Sequence, residues 1–155
     1  MNQEFRELVE KVEEAYQSLI QQSPIRPAQL PSDLPERGIY LFSEAAEHLY
    51  VGRTDNLRRR IQEHSRPSSN HNKATFAFRM ARLETGHAMA SYNQEGSRRE
   101  LEADPVFGPV FDRSKARIRS MHLRFVEEKD PTKQALLEIY AATVLRSPFN
   151  DFENH

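Results

Sequence analysis

Apolar residues recur with two different periods along the chain, and these periods predict the first elements. Between residues 4 and 20 the apolar positions follow a period of about 3.6, which predicts a helix with one buried stripe. Four prolines follow at 24, 27, 31 and 35, and they predict an extended connector because proline does not continue a helix. Residues 38–42 and 48–52 are short β-rich runs around a small polar turn, a pattern typical of a hairpin.

The middle of the chain has helical patterns. A helix is expected directly after the hairpin, with Thr54 or Asp55 as its N-cap, because Leu57 and Ile61 are four residues apart. Residues 73–85 are predicted to be helical and to end at Gly86. A further polar helix is predicted at about 91–103.

The last third combines a predicted break, a strand and a helix. The segment ADPVFGPVFD at 103–112 is expected to interrupt regular structure. The alternation in ARIRSMHLRFVEE at 116–128 predicts a strand. Asp130 as N-cap and Pro131 at the first helical position predict a last helix that runs to about residue 144. The end of the chain, SPFNDFENH, is expected to be irregular.

Length and composition restrict the class of protein. A chain of 155 residues predicts one domain with a real core. It has no run of about 18 apolar residues, so no membrane segment is predicted. The acidic, amphipathic start does not resemble a secretory signal, and the chain contains no cysteine. We therefore expect a cytoplasmic protein in which any metal is held by oxygen or imidazole.

Charge is segregated along the chain although the formal net charge is only -1. Residues 1–51 carry a net charge of -5, from 4 basic and 9 acidic side chains. Residues 52–124 carry +7, from 15 basic and 8 acidic, and residues 125–155 carry -3, from 3 basic and 6 acidic. A basic middle that folds onto one face would attract a polyanion. The alternative is that these basic residues are scattered over a solvated surface.

Candidate chemistry lies in the hairpin and the helix after it. Hydrolysis of a phosphodiester requires an activated water, a cation beside the phosphate and a metal held by carboxylate. Tyr40 and Tyr50 are expected to come close on one face of the hairpin, and Arg60 and His64 are four apart on the helix. Each feature has an ordinary structural reading as well, since strand tyrosines and helix histidines usually pack.

Together these residues resemble the GIY-YIG nuclease family. The matching segments are GIY at 38–40, YVG at 50–52, with Val at the central Ile position, and NLRRRIQEH at 56–64. Arg60 lies eight residues after Gly52, and His64 follows it by one helical turn, as in the family. The family also has a metal-binding glutamate and a later asparagine, which correspond here to Glu138 and Asn150.

The resemblance implies an α+β fold with a small three-stranded antiparallel sheet flanked by helices. Within one nuclease domain at 1–155 we expect four parts: an N-terminal helix and Pro-rich connector at 1–35, the hairpin and first helix of the site at 36–64, a long helical insertion at 66–112, and the third strand, metal-site helix and tail at 113–155. The insertion is longer than the family core needs.

The resemblance also implies a function and a role for each residue. It implies a metal-dependent DNA endonuclease, with Tyr40 as general base or water-orienting group and Tyr50 beside it. Arg60 would contact the scissile phosphate, and His64 would assist proton transfer or hold a phosphate oxygen. Glu138 would bind Mg²⁺ or Mn²⁺. Asn150 would orient a backbone phosphate or support the site.

Contacts to DNA are expected through phosphates. The predicted contact residues are Arg53, Arg58, Arg59, Lys73 and Arg79, and within the insertion also His71, Asn72, Arg82, Arg98 and Arg99. Phe76, Phe78 and Met80 are expected to pack in the core rather than stack on bases. The segment RSKARIRS at 113–120 has two open readings, a basic strand edge facing DNA or an ordinary solvated surface.

A second function class stays open beside the enzyme, namely an inactive nucleic-acid-binding domain of the same fold. The complete set of site residues favours the enzyme, and a pure protein-interaction module would leave the basic middle unexplained. The sequence leaves open the preferred DNA, RNA as a substrate, the pathway (repair, recombination, restriction or a mobile element) and the oligomeric state.

Overall fold

A computed structural model describes residues 1–86 and 94–152, with the backbone alone at 94–97. The helices are α1 (Gln3–Gln21), α2 (Leu57–Ser65), α3 (Thr75–Thr85), α4 (Gln94–Ala103), α5 (Phe107–Arg119) and α6 (Pro131–Leu145). The strands β1 (Gly38–Glu44), β2 (Glu47–Thr54) and β3 (His122–Glu127) form one antiparallel sheet in the order β2-β1-β3. The predicted α+β fold, a three-stranded antiparallel sheet flanked by helices, is confirmed.

The chain divides into two compact units. The first consists of Met1–Arg60 and Met121–His155, and the second consists of Ile61–Ser120. The first unit contains the sheet with α1 and α6, and the second contains α3, α4 and α5. The predicted insertion at 66–112 lies within the second unit. The single-domain organisation and its four parts stay a prediction.

The core of the first unit forms on one face of the sheet. Ile39, Leu41 and Val51 from the strands pack with apolar residues of the two helices, namely Val12, Tyr16 and Leu19 of α1 and Leu137, Ala141 and Ala142 of α6. The alternation of the strands then places Tyr40 and Phe42 on the opposite face. Burial of one face by α1 and α6 therefore fixes the face on which the tyrosines lie.

The core of the second unit is aromatic. Phe78 of α3 lies 5.1 Å from Phe107 and 5.7 Å from Phe111, both on α5, measured between ring centroids. Phe76 and Met80 are buried with it. The prediction that these side chains pack in a core is confirmed.

Local signals account for the helix ends that the sequence predicts. The carboxylate of Asp130 accepts hydrogen bonds from the N–H groups of Thr132 and Lys133, and Pro131 opens α6. Gly86 ends α3 at a φ of 81°, a conformation that glycine adopts without a steric penalty. The predicted polar helix is confirmed over Gln94–Ala103, whereas residues 91–93 of that prediction lie outside the described residues.

The predicted N-cap of α2 was wrong by one or two residues. Asn56 is the cap, since its side-chain oxygen accepts from the N–H of Arg59 at 3.0 Å. The hydroxyl of Thr54 instead accepts from the N–H of Asn56, at 3.0 Å, and so holds the cap in place. The start of α2 is therefore fixed by two successive side-chain-to-backbone hydrogen bonds, one to Thr54 and one to Asn56, rather than by a single N-cap.

The predicted break at 103–112 is confirmed only at residues 104–106, between α4 and α5, and the predicted strand at 116–128 is confirmed only over His122–Glu127. Residues 107–119 form α5, and β3 begins only at His122. Pro109 is tolerated because it falls in the first turn, where a backbone N–H has no acceptor within the helix. Asp104 accepts from the N–H groups of Val106 and Phe107 and so caps the start. The predicted boundary between the insertion and the third strand, at residues 112/113, therefore lies inside α5.

The helical segment 113–119 also changes the reading of RSKARIRS. It is not a strand edge, and Lys115 within it is only 3% exposed. The ammonium group of Lys115 donates to the carbonyls of Pro67 and Ser69, at 2.7 and 2.9 Å. This lysine therefore holds the loop before α3 and is not part of a solvated basic surface.

In the described part of the chain, every helix falls short of the length and apolar content that a bilayer-spanning segment needs.

Candidate active site

The two tyrosines of the motif are diagonal neighbours on one face of the sheet. Tyr40 lies opposite Gly52 in the register of β1 and β2, and Tyr50 lies opposite Phe42. The rings of Tyr40 and Tyr50 are 6.3 Å apart between centroids, with 42° between their planes. The prediction that they come close on one face is confirmed.

Gly52 makes room for the ring of Tyr40. A Cβ atom at Gly52 would lie 2.2 Å from both Cζ and the hydroxyl oxygen of Tyr40. Tyr40 is 1% exposed, so its ring has little space into which it can move. The glycine of the YVG segment is therefore needed because the aromatic ring crosses directly over its Cα.

We expect Gly52→Ala to displace Tyr40 and to reduce both stability and any activity that uses this hydroxyl. Overpacking of this kind costs about 1–3 kcal/mol of unfolding free energy. Chemical denaturation measures this cost. The matched control is Gly52→Ala in a Tyr40→Ala background, where the cost should largely disappear because the clash is gone. An equal cost in both backgrounds would show that Tyr40 is not what the new methyl group meets.

Arg60 reaches the hydroxyl of Tyr40 from α2. Its guanidinium donates a hydrogen bond to the tyrosine oxygen. Burial raises the pKa of Tyr40 well above its usual value near 10, the nearby Tyr50 and Glu138 raise it further, and Arg60 partly opposes them. The hydroxyl is therefore neutral at physiological pH and donates or accepts hydrogen bonds as a phenol.

Glu138 projects from α6 to the outer edge of β2. Its carboxylate accepts a hydrogen bond from the backbone N–H of Arg53, and Nε of Arg53 lies 3.8 Å from Glu138 Oε1. The side chain is 22% exposed. Burial raises the pKa of Glu138, whereas Arg53 lowers it, and burial has the larger effect. This carboxylate is poorly solvated for a charged group, as the apolar neighbours in the sequence predicted.

Asn150 forms hydrogen bonds with the backbone at the same edge of β2. Its Oδ1 accepts from the N–H of Val51 at 2.9 Å, and its Nδ2 donates to the carbonyl of Val51 at 2.8 Å. The hydroxyl of Ser147 also donates to Oδ1, at 2.6 Å, and the N–H of Phe149 donates to the carbonyl of Leu49. The amide of Asn150 therefore pairs with β2 as the backbone of a neighbouring strand would.

His64 lies one turn after Arg60 on α2 and belongs to the second unit. Its side chain is fully buried, and its ring packs edge-on against Phe76, at 6.4 Å between centroids. This environment is typical of a structural histidine. The predicted role in proton transfer or phosphate binding stays a prediction.

The residues predicted to contact nucleic acid lie on several elements, with Arg53 on β2, Arg58 and Arg59 on α2, Lys73 before α3, and Arg79 on α3. Arg58 also donates to the carbonyl of Pro31 and so attaches the Pro-rich connector to α2. Nζ of Lys73 lies 3.9 Å from Glu63 Oε1. All five side chains are exposed, which the prediction requires.

His71 differs from the other residues of that prediction because it is buried. Its backbone N–H donates to Glu102 Oε2 at 3.2 Å, and its ring nitrogen Nδ1 contacts the same oxygen. The side chain therefore faces the interior of the second unit rather than a nucleic-acid backbone.

Sequence reasoning missed two supporting residues at the site. Ser147 orients the amide of Asn150, and its position three residues before Asn150 in SPFN was the available signal. Arg53 was predicted only as a phosphate contact, yet it holds Glu138 through its backbone N–H and its guanidinium. The contact with Glu138 spans 85 positions along the chain and has no local signal.

The residues at the site suit a divalent cation that brings most of its own ligands. Within residues 1–86 and 94–152 no group of three His, Cys, Asp or Glu side chains is placed to hold a metal. Mg²⁺, however, commonly binds to one or two carboxylates and completes its shell with water and substrate phosphate oxygens. Glu138, a partly buried carboxylate beside Arg53, fits this mode of binding.

Comparison with known proteins gives one family match. Residues 36–104 match the family model described as the GIY-YIG catalytic domain. The matched range includes Tyr40, Tyr50, Arg60 and His64, and it extends through residues 66–104 of the predicted insertion. Glu138 and Asn150 lie beyond it. No curated protein and no solved structure matches the chain.

Proposed function

Because residues 36–104 of this chain identify it as a member of the GIY-YIG nuclease family, we propose that it is a metal-dependent endonuclease that hydrolyses phosphodiester bonds in DNA. One observation carries the proposal. Arg60 donates a hydrogen bond to the hydroxyl of Tyr40, the ring of Tyr50 lies 6.3 Å from that of Tyr40, and Glu138 is near enough for its charge to raise the pKa of Tyr40, so two phenols, a guanidinium and a carboxylate lie in one region of the first unit. A phosphodiesterase site needs these types of group.

Arg60 is proposed to bind the scissile phosphate. Its fork of N–H donors matches phosphate oxygens, and its charge stabilises the additional negative charge of the transition state. The hydrogen bond to Tyr40 holds the guanidinium in place before the substrate arrives. Arg60 therefore acts as the fixed cation of the site.

Tyr40 is proposed to orient the attacking water. A general base at neutral pH would need a pKa near 7, whereas burial raises the pKa of this hydroxyl. As a neutral phenol Tyr40 accepts a hydrogen bond from water, and Arg60 polarises its oxygen. Tyr50, on the same face, is proposed to complete the polar surface beside the phosphate.

Glu138 is proposed to hold Mg²⁺ or Mn²⁺. When bound, the cation would supply positive charge to the phosphate and lower the pKa of a bound water. The hydrogen bond from the N–H of Arg53 orients the carboxylate. Asn150 is proposed as a positioning residue, because its bonds to Val51 hold the strand that carries Tyr50 and Gly52. His64 keeps its proposed role in proton transfer or phosphate binding.

DNA is proposed as the substrate, bound through phosphate contacts from exposed residues such as Arg58, Arg59 and Lys73. RNA carries the same phosphodiester and is the second substrate to test. The cytoplasmic location stays a prediction.

Nicking of supercoiled plasmid by purified protein tests the proposal. We expect relaxation in Mg²⁺ or Mn²⁺, loss of relaxation in EDTA, and recovery when Mg²⁺ is returned in excess. Protein with Arg60→Ala, purified in parallel, controls for contaminating nucleases. If the folded protein binds DNA and cuts neither plasmid, RNA, nor a panel of junctions and flaps in either metal, the inactive binding domain is the correct reading.

A further inference from the structure

The apolar stripe of α1 is longer than the part of that helix which the core covers. Val12, Tyr16 and Leu19 lie in the core of the first unit. Phe5 and Val9 continue the same stripe towards the start of the helix, because they lie seven and three residues before Val12. Phe5 is nevertheless 43% exposed, and Val9 is 38% exposed. The first half of α1 therefore carries an apolar surface that the described part of the chain leaves open to solvent.

The same helix is acidic, and its carboxylates lack ionic partners. α1 carries five carboxylates and two basic side chains, a net charge of -3, from Glu4, Arg6, Glu7, Glu10, Lys11, Glu13 and Glu14. Among the described residues, no ion pair involves these carboxylates. Glu7 accepts a hydrogen bond from the neutral amide of Gln3, and Glu13 accepts one from the neutral phenol of Tyr140. The negative charges are therefore available to a positively charged partner.

Three of these carboxylates repel one another along the helix. Glu10 lies three residues after Glu7 and four residues before Glu14. Groups at these spacings are neighbours on the surface of a helix, and like charges there destabilise it. A partner that brings positive charge to α1 would relieve this repulsion.

The position and the charge of α1 limit what can occupy its apolar surface. The helix lies outside residues 36–104, the range that matches the GIY-YIG catalytic domain. A second copy of the chain would place another acidic helix against the first, and like charges across an interface are unfavourable. Nucleic acid and anionic lipid would be repelled by the same carboxylates. A helix with one apolar face and basic flanks is attracted by both features of the surface.

We propose that the first half of α1 binds a basic amphipathic helix of a partner protein. The apolar face of that helix covers Phe5 and Val9, as in other complexes in which an amphipathic helix packs against an apolar surface. Its lysine and arginine side chains pair with the carboxylates of α1, which gives specificity and accelerates association. The inference goes beyond the proposed nuclease activity and does not depend on it.

Fluorescence anisotropy of a labelled synthetic peptide tests this surface in the full-length protein. The probe contains only leucine and lysine, with leucine at helical spacing. One control peptide has glutamate in place of lysine, and a second has the leucine and lysine residues in scrambled order. We expect the protein to bind the probe at least about tenfold more tightly than either control peptide, because only the probe matches both the apolar stripe and the charge.

Phe5→Gln with Val9→Gln should weaken binding of the probe at least about tenfold, because both apolar contacts are lost. The matched control is Leu83→Gln with Val106→Gln, which removes two exposed apolar side chains of the second unit. It should bind the probe within about twofold of the unmodified protein. Failure of the unmodified protein to bind the probe would overturn the inference, as would equal binding by the Phe5→Gln, Val9→Gln variant.

Glu7→Gln with Glu10→Gln tests the charge and leaves the apolar stripe intact. This variant should bind the probe several-fold more weakly at low salt, and its affinity should depend less on salt, because salt screens ion pairs. It decides the matter if circular dichroism shows that the Phe5→Gln, Val9→Gln variant does not fold. Sedimentation of the proteins alone tests the other occupant. A dimer of the unmodified protein that the Phe5→Gln, Val9→Gln variant does not form would assign the surface to a second copy and overturn the inference.

Discussion

Replacement of Glu138 by glutamine is expected to lower the rate of metal-dependent cleavage by about 10³-fold or more, a loss that corresponds to several kcal/mol of transition-state stabilisation. Glutamine has nearly the same shape, and its oxygen still accepts the hydrogen bond from the N–H of Arg53. It lacks the negative charge that a hard divalent cation requires. Binding of DNA in EDTA should change by less than about threefold, since the cation is absent from both proteins in that assay.

Single-turnover cleavage on plasmid, over a range of Mg²⁺ concentrations, measures this loss. The matched control is Glu47→Gln, which removes an exposed carboxylate from the same strand edge of the first unit. It should keep the rate of the unmodified protein. Full activity of Glu138→Gln would remove Glu138 from the site. If the rate of Glu138→Gln instead recovered at high Mg²⁺, Glu138 would contribute to the affinity for the metal and not to the chemical step.

The Glu138→Gln variant should be slightly more stable than the unmodified protein at neutral pH. Burial raises the pKa of Glu138 in the folded protein above its usual value of 4.5. As the pH rises through 4.5 the unfolded chain loses this proton first, so ionisation favours unfolding until the folded pKa is passed. Glutamine removes that cost, and a rise in Tm of about 1–3 °C is expected at pH 7.5. The difference should vanish below pH 4, and an equal rise at both pH values would exclude the charge as its cause.

Arg60→Ala is expected to reduce the cleavage rate at least about 100-fold if the guanidinium stabilises the transition state. The loss should appear in the rate at saturating DNA. Arg60→Lys keeps the charge but offers a point donor, so it should recover only part of the rate. Arg66→Ala, six residues further along the chain, is the charge-matched control and should keep the saturating rate.

A loss of only several-fold at saturation, with a raised DNA concentration for half-maximal rate, would make Arg60 a binding contact. The tyrosine beside it offers an independent readout. Removal of Arg60 eliminates the group that lowers the pKa of Tyr40, so the Tyr40 hydroxyl should resist ionisation to still higher pH. Ultraviolet titration of tyrosinate, compared with Tyr40→Phe, measures that change.

The parts of the fold with local signals were predictable from the sequence. The Asp130-Pro131 start of α6, the Gly86 end of α3 and the period of α1 depend on residues within one or two turns of each other. The start of α5 was not predictable in this way, because Gly108 and Pro109 are helix breakers in general and are accepted here only in a capped first turn.

The residues of the candidate site also differ in whether a local sequence signal predicts their role. The spacing from Tyr40 to Arg60 is contained in one hairpin and one helix, so a short motif specifies it. The bonds between Asn150 and Val51 join residues 99 positions apart, and no local pattern predicts that the asparagine pairs with a strand edge. The sequence therefore indicated which residues matter near the motif, whereas the roles of Arg53 and Asn150 depended on the tertiary fold.

The bonds along the outer side of β2 have a consequence for solubility. An open edge strand pairs readily with another chain and leads to aggregation. Here the carbonyl of Leu49, the N–H and carbonyl of Val51 and the N–H of Arg53 are bonded instead to the N–H of Phe149, the amide of Asn150 and the carboxylate of Glu138. The segment after residue 137 thus protects the sheet from self-association while it carries the carboxylate proposed for the metal. We therefore expect changes in this segment to alter the tendency of the protein to self-associate as well as its chemistry.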